Sequence, residues 1–159
     1  MSNLLAIDPG NVMSAFVVYN DGEIINKGKV ENKEMLLTIN DMKLIEVSHL
    51  AIEMVASYGM PVGATVFDTV WWTGIFSQAF GIDNTTRIYR KDVKMHLCHS
   101  MRAKDGNVRQ AIIDKYPATG GGKIPQIGTK KEPGPLFGVS NDIWAALGVA
   151  ITFCEDNKW

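Results

Sequence analysis

Several things that would narrow the reading quickly are scarce in this sequence. Cysteine is one: Cys98 and Cys154 are the only two in 159 residues, far apart and in no paired spacing. That excludes a disulfide scaffold and predicts reduced thiols in a cytoplasmic setting. No apolar run approaches the roughly 18–20 residues a membrane span needs, so no membrane partner is expected. The opening MSNLLAIDPG lacks the basic start and long apolar stretch of a signal peptide. Low-complexity tracts and internal repeats are missing too. What remains, 46% hydrophobic and 21% charged, predicts one globular domain over residues 1–159, large enough for a real core and too short for two.

Net charge is also small, −1, but it is unevenly spread. Between Arg87 and Lys131 stand eleven Lys or Arg (Arg87, Arg90, Lys91, Lys94, Arg102, Lys104, Arg109, Lys115, Lys123, Lys130 and Lys131) against three acids, Asp92, Asp105 and Asp114. A basic block on an otherwise acidic chain suits a phosphate backbone, although a solvated helical surface would look the same.

Residues 3–8 (NLLAID) form an apolar run that ends in an acid before the turn pair Pro9-Gly10, which predicts a buried strand. Strands are also predicted over 14–20 and 23–30, joined by the hairpin pair Asp21-Gly22, so the chain opens as a three-strand antiparallel meander. A weak amphipathic pattern through Met35, Leu36, Ile39 and Leu44 predicts a helix over 32–44. The run at 48–55 (SHLAIEMV) reads as a strand covered on both faces. A long apolar helix is expected over 64–80 with Gly81 as its C-cap, then a strand over 86–90 and helices over 91–99 and 105–116. Residues 117–138, rich in Gly, Pro and Lys, read as a flexible basic loop. A closing helix spans 140–154, with Ser140 or Asn141 as N-cap and Asp142 in its first turn. The expected architecture is α/β, a mixed five-stranded sheet of three antiparallel strands and then two parallel ones, flanked by helices. Its chain order is that of the ribonuclease H-like fold.

Three acids sit in apolar company: Asp8 at a strand end, Glu53 inside LAIEMV, and Asp142 at the closing helix. Asp8 also suits a turn and Asp142 a helix N-terminus, but nothing in LAIEMV offers Glu53 a cation. Buried carboxylates usually pair with a cation or bind a metal. If these strands are neighbours and the last helix packs beside them, the three converge. Oxygen ligands of this kind suit Mg²⁺ or Mn²⁺, two of which can activate a water and stabilise a leaving oxygen in phosphodiester hydrolysis.

At these residues the chain resembles the RuvC family of Holliday-junction resolvases. LLAIDPG resembles the family's opening strand and LAIEMV the strand that bears its glutamate. RIYRKDVKMHLCHSMRAKDGNVRQAIIDKY resembles its basic segment, and DIWAALGVAITFC its closing helix, so the likeness runs from residue 4 to 154. The resemblance implies a homodimeric endonuclease that cuts the two strands of a four-way DNA junction symmetrically. It implies Mg²⁺, with Mn²⁺ as a substitute, on Asp8, Glu53 and Asp142. Lys94 and Lys104 fall at the family's DNA-contacting lysines, and Lys91, Arg102, Lys123, Lys130 and Lys131 are expected to add phosphate contacts. Two positions depart. The family's second closing-helix aspartate is replaced by Ala145, and an aromatic residue three positions after the glutamate by Ala56, with Tyr58 close by as a substitute. A phage or viral branch in a bacterial cytoplasm would accommodate both. The rival readings are a branched-DNA-binding protein without catalysis and an ATPase of the actin and sugar-kinase type, which shares the opening motif.

Other patterns carry less. His96, Cys98 and His99 lack a second ligand pair at zinc-site spacing, and TGGGK at 119–123 lacks the Ser or Thr of a phosphate loop. Phe67, Trp71, Trp72 and Phe76 recur near helical spacing. Core packing is expected to take most of them, leaving part for a dimer interface.

Overall fold

The run NLLAID forms strand β1 (Asn3–Asp8), in which Leu4, Leu5, Ala6 and Ile7 are all fully buried. Such a strand must be covered on both faces, and the rest of the chain does this. The structure is a computed structural model that describes residues 2–43 and 46–159. Strand β2 (Met13–Asn20) lies antiparallel to β1, and β3 (Glu23–Glu31) returns antiparallel to β2. Between them Asp21 and Gly22 both take positive φ, 45° and 86°, the turn that matches the right-handed twist of paired strands. Helix α1 (Asn32–Lys43) leads to β4 (Val47–Met54), parallel to β1 on its other side. Helix α2 (Ala64–Phe80) and a single 3₁₀ turn at Ile82–Asn84 precede β5 (Thr85–Tyr89), parallel to β4. Helices α3 (Arg90–Cys98), α4 (Asp105–Asp114) and α5 (Ile143–Asn157) complete the chain. The sheet order is β3-β2-β1-β4-β5. This is the expected mixed sheet, with element ends close to those expected; Leu44, expected in α1, lies outside the described residues.

Side-chain alternation divides the interior in two. Leu4, Ala6, Ala15, Val17 and Ala51 point to the face packed by α3, α4 and α5. Leu5, Ile7, Phe16, Val18, Leu50 and Ile52 point to the other, against Met35 and Ile39 of α1 and Phe76 and Phe80 of α2. Among the described residues no helix is long and apolar enough to cross a membrane.

Three expectations need correction. Helix α5 begins at Ile143, so Asp142 occupies the cap position and not the first turn, and no side chain caps the helix. Asn141 takes a left-handed φ of 47° and the Ser140 carbonyl accepts from Ile143 N–H, so a tight turn replaces the expected side-chain cap. The 117–138 segment, expected as a loop, is irregular and tied together by backbone hydrogen bonds. Gly121 and Thr129 N–H both donate to the Glu132 carbonyl, Gly134 N–H donates to Ile127, and Leu136 N–H donates to Gln126. Its glycines serve close approach: a Cβ on Gly128 would lie 2.3 Å from the Gly134 nitrogen. Finally, core packing takes fewer of the α2 aromatics than expected. Phe76 is fully buried and Trp72 partly, but Phe67 and Trp71 are 64% and 66% exposed.

Candidate active site

Register places the first two acids side by side. On β1 and β4, Ile7 is paired with Ile52, so the next residues, Asp8 and Glu53, leave the parallel strands as neighbours. Both fall on the face of Ala6 and Ala51, the one packed by α5. The row continues outward: Asp8 pairs with Ala15 of β2, Ala15 with Lys29 of β3, and Glu53 with Ile88 of β5. One line across the sheet therefore reads Lys29, Ala15, Asp8, Glu53, Ile88, and Arg90 opens α3 two residues beyond Ile88.

The turn after Asp8 is fixed from below. Ser14 Oγ accepts from Gly10 N–H at 3.1 Å and donates to Asn32 Oδ1 at 2.6 Å. Asn32 Nδ2 closes the ring by donating to the Gly10 carbonyl at 2.9 Å. Ser14 and Asn32 are both buried, so this network sets the path of the chain leaving Asp8.

The electrostatics follow from that placement. Burial pushes the Asp8 carboxyl up to about 9; the facing Glu53 carboxyl and its charge add to this, Asp142 adds less, and Arg90 offsets part. The Asp8 carboxyl thus stands within hydrogen-bonding reach of Glu53. Glu53 is buried, with Arg90 Nη1 3.3 Å from its Oε1. The other guanidinium nitrogen of Arg90 binds Asp105 at the start of α4. That hydrogen bond holds the Asp105 carboxyl below the usual carboxylate range, and Lys94 nearby contributes to the same effect. Asp142 meets Lys29 Nζ at 2.6 Å. The three predicted acids thus lie at one end of the sheet, Asp8 and Glu53 in contact and Asp142 within electrostatic reach of Asp8.

Carboxylate oxygens are the hard donors that a divalent cation takes, so these residues fit one chemically. As they stand, however, no three metal-ligating groups come together among the described residues, because Asp142 is turned to Lys29. Ala145 lies in the first turn of α5 and offers no further donor.

The predicted basic residues lie on α3, between α3 and α4, and on the 117–138 segment. Lys91 Nζ lies 5.8 Å from the Tyr58 ring centre and 5.9 Å from that of Tyr89, within cation–π range. Lys94 is half-buried beside Asp105, and Arg102 and Lys104 are exposed between α3 and α4. Lys123, Lys130 and Lys131 are exposed on the 117–138 segment. None of these seven forms an ion pair among the described residues. His96 directs its two ring nitrogens to Glu155 and Asp156 of α5, at 2.5 and 2.9 Å.

Sequence reasoning missed Lys29 and the Ser14–Asn32 pair, and counted Arg90 only as part of the basic block. Glu53 does have a cation, supplied by the next strand and not by its own. The hairpin at Asp21-Gly22 would by itself set Gly28 across from Ala15; the register shift between Val18 and Tyr19 brings Lys29 there instead.

The mixed sheet, its strand order and its flanking helices are those of the ribonuclease H-like fold. Within it, the chain is similar to the solved structure of RuvC from Thermus thermophilus, with 98% of this chain and 96% of that one covered, a TM-score of 0.63 and 17% identity. It is also similar to T. thermophilus RuvC in complex with a Holliday junction substrate, with 99% and 96% covered, a TM-score of 0.65 and 16% identity. At such identity the likeness is one of fold. No protein-family profile and no curated protein matches the sequence.

Proposed function

We propose that the chain is a divalent-metal-dependent endonuclease of branched DNA, with four-way Holliday junctions its leading substrate. The observation that carries this reading is the pair Asp8 and Glu53, two carboxyls set side by side by the register of the parallel strands β1 and β4. A divalent ion, Mg²⁺ or Mn²⁺ in its place, supplies activation of water and stabilisation of the leaving oxygen in phosphodiester hydrolysis. Asp8, Glu53 and Asp142 would hold it. Ser14 and Asn32 hold the turn that follows Asp8, and Arg90 pairs with Glu53 in the free protein.

Lys91 and Lys94 of α3, Arg102 and Lys104 between α3 and α4, and Lys123, Lys130 and Lys131 of the 117–138 segment would serve as phosphate contacts. Such contacts position a duplex without reading its sequence. Tyr58, 62% exposed beside Lys91, is available to stack on a base at the branch. The Holliday junction substrate in the solved T. thermophilus RuvC complex supports the choice of substrate class. A homodimer fits the outer side of α2, where Phe67, Trp71 and the preceding Met60 are exposed, since aromatic residues and Met are enriched at interfaces. Free Cys98 and Cys154 suit a cytoplasmic site of action.

A second reading, junction binding without catalysis, is favoured by Ala145 and by the ion pair that turns Asp142 to Lys29. The deciding test is incubation with a labelled synthetic four-way junction and a matching linear duplex, with Mg²⁺ and separately Mn²⁺. Paired symmetric nicks in the junction alone are expected. Salt-sensitive binding without nicks under either ion would establish the second reading, and neither binding nor nicks would sink both.

A further inference from the structure

We propose that Lys29 and Arg90 are latches on the carboxylate site, released by the phosphates of bound DNA, so that DNA and the divalent ion bind cooperatively. This rests on the reading of the site as a metal-dependent nuclease centre.

The geometry is that of one row across the sheet. Lys29 stands at one end and Arg90 just beyond the other, with Asp8 and Glu53 between them. Ala15, the residue between Lys29 and Asp8 in that row, presents only a methyl group. Lys29 occupies Asp142 and Arg90 occupies Glu53. Two of the three candidate ligands are therefore engaged by the protein's own cations. A dication entering this site must compete for oxygens already donated to and must approach two positive charges. The free protein is thus set against the ion it would use.

The latches are placed to open. Their side chains are 35% and 33% exposed, so an incoming ligand can reach both. Arg90 divides its guanidinium between Glu53 and Asp105, and its contact with Glu53, at 3.3 Å, is longer than the 2.7–2.9 Å of a strong charged pair. A phosphate diester gives either cation an anionic oxygen that is not needed as a metal ligand. Arginine forks match phosphate geometry well. Transfer of Lys29 and Arg90 to the backbone would leave Asp142 and Glu53 free, with the two positive charges drawn toward the substrate. Coupling of this kind is reciprocal: whatever factor DNA adds to ion affinity, the ion adds to DNA affinity.

The test is Mn²⁺ titration followed by electron paramagnetic resonance, without DNA and with a saturating four-way junction carrying cleavage-resistant phosphorothioate linkages. Wild-type protein should bind Mn²⁺ about tenfold more tightly when the junction is present. The double variant Lys29→Met, Arg90→Met should bind Mn²⁺ more tightly than wild type without DNA, and the junction should add little. Lys29→Gln alone, at an exposed position on an edge strand, should show the same direction with a smaller shift, which covers the case of a double variant that does not fold. Coupling undiminished in the variants, or weaker Mn²⁺ binding by them without DNA, would overturn the latch and leave the nuclease reading standing. A wild-type protein that binds no Mn²⁺ with or without DNA would overturn both.

Discussion

The two faces of the sheet are finished differently. On one, α5 is almost engulfed: Ile143 and every residue from Ala146 to Phe153 are buried, nine of fifteen. On the other, α2 is equally apolar in sequence, yet its buried residues are only Thr73, Phe76, Ser77 and Phe80 out of seventeen. Apolar composition drives a surface out of water without choosing what it meets. The first helix meets the protein's own sheet, while the second keeps Phe67 and Trp71 outside. The candidate site lies on the completed face, where close packing holds its strands in register and can fix the carboxylates.

The largest expected effect belongs to the completed face. Asp8→Asn should lower junction cleavage by at least about 10²–10³-fold, the scale of losing one preorganised group at a reacting centre, while junction affinity measured by fluorescence anisotropy stays intact. Loss of binding as well would reassign Asp8 to folding. Next comes the direct contrast between the helices. Ile151→Ala removes a fully buried side chain of α5 and should cost about 2–5 kcal/mol in urea unfolding. Trp71→Ala should stay within about 0.5 kcal/mol for the monomer, yet shift sedimentation from dimer toward monomer. Equal costs for the two substitutions would erase the distinction between the faces.

A smaller effect is set by pH. The unfolded chain loses the Asp8 proton near 3.8, whereas the folded protein keeps it to about 9. Between those values the unfolded state binds fewer protons, so stability of the metal-free protein falls as pH rises. Asp8→Asn should therefore raise the stability of the metal-free protein at pH 8 by about 1–2 kcal/mol, the usual gain from relieving a strained site, and the gain should vanish near pH 4. A gain of equal size at both pH values, read by thermal unfolding, would locate its cause elsewhere.

Much of the fold was legible because its signals are local. The burial of NLLAID, the Asp21-Gly22 hairpin and the Gly81 stop each depend on a few neighbouring residues. The pairing of Asp8 with Glu53 was legible in outline, since two acids in apolar strands have few other uses. The partners of these acids were not. Lys29 reaches its place through the β2–β3 register, which slips between Val18 and Tyr19, and a slip of one residue sends a side chain to the opposite face. Arg90 depends on which strand lies beside β4, a contact between distant parts of the chain. The outer surface of α2 was misjudged for a related reason: helical periodicity marks an apolar stripe but not how much of it the sheet can cover.

The glycine-tied segment before α5 has a consequence for how defects in this protein would be read. Leu136 and Val139 are buried in the α5 core, and the tie between Gly128 and Gly134 delivers the chain to Asn141 and Asp142. The segment works as a spacer that leads to an acid of the candidate site. A fusion partner or affinity tag placed there, where composition advertises a permissive loop, would displace Asp142 and look in an assay like a damaged carboxylate. The Asp21-Gly22 turn, with nothing within 4 Å of a Cβ on Gly22, is the better place for such an insertion.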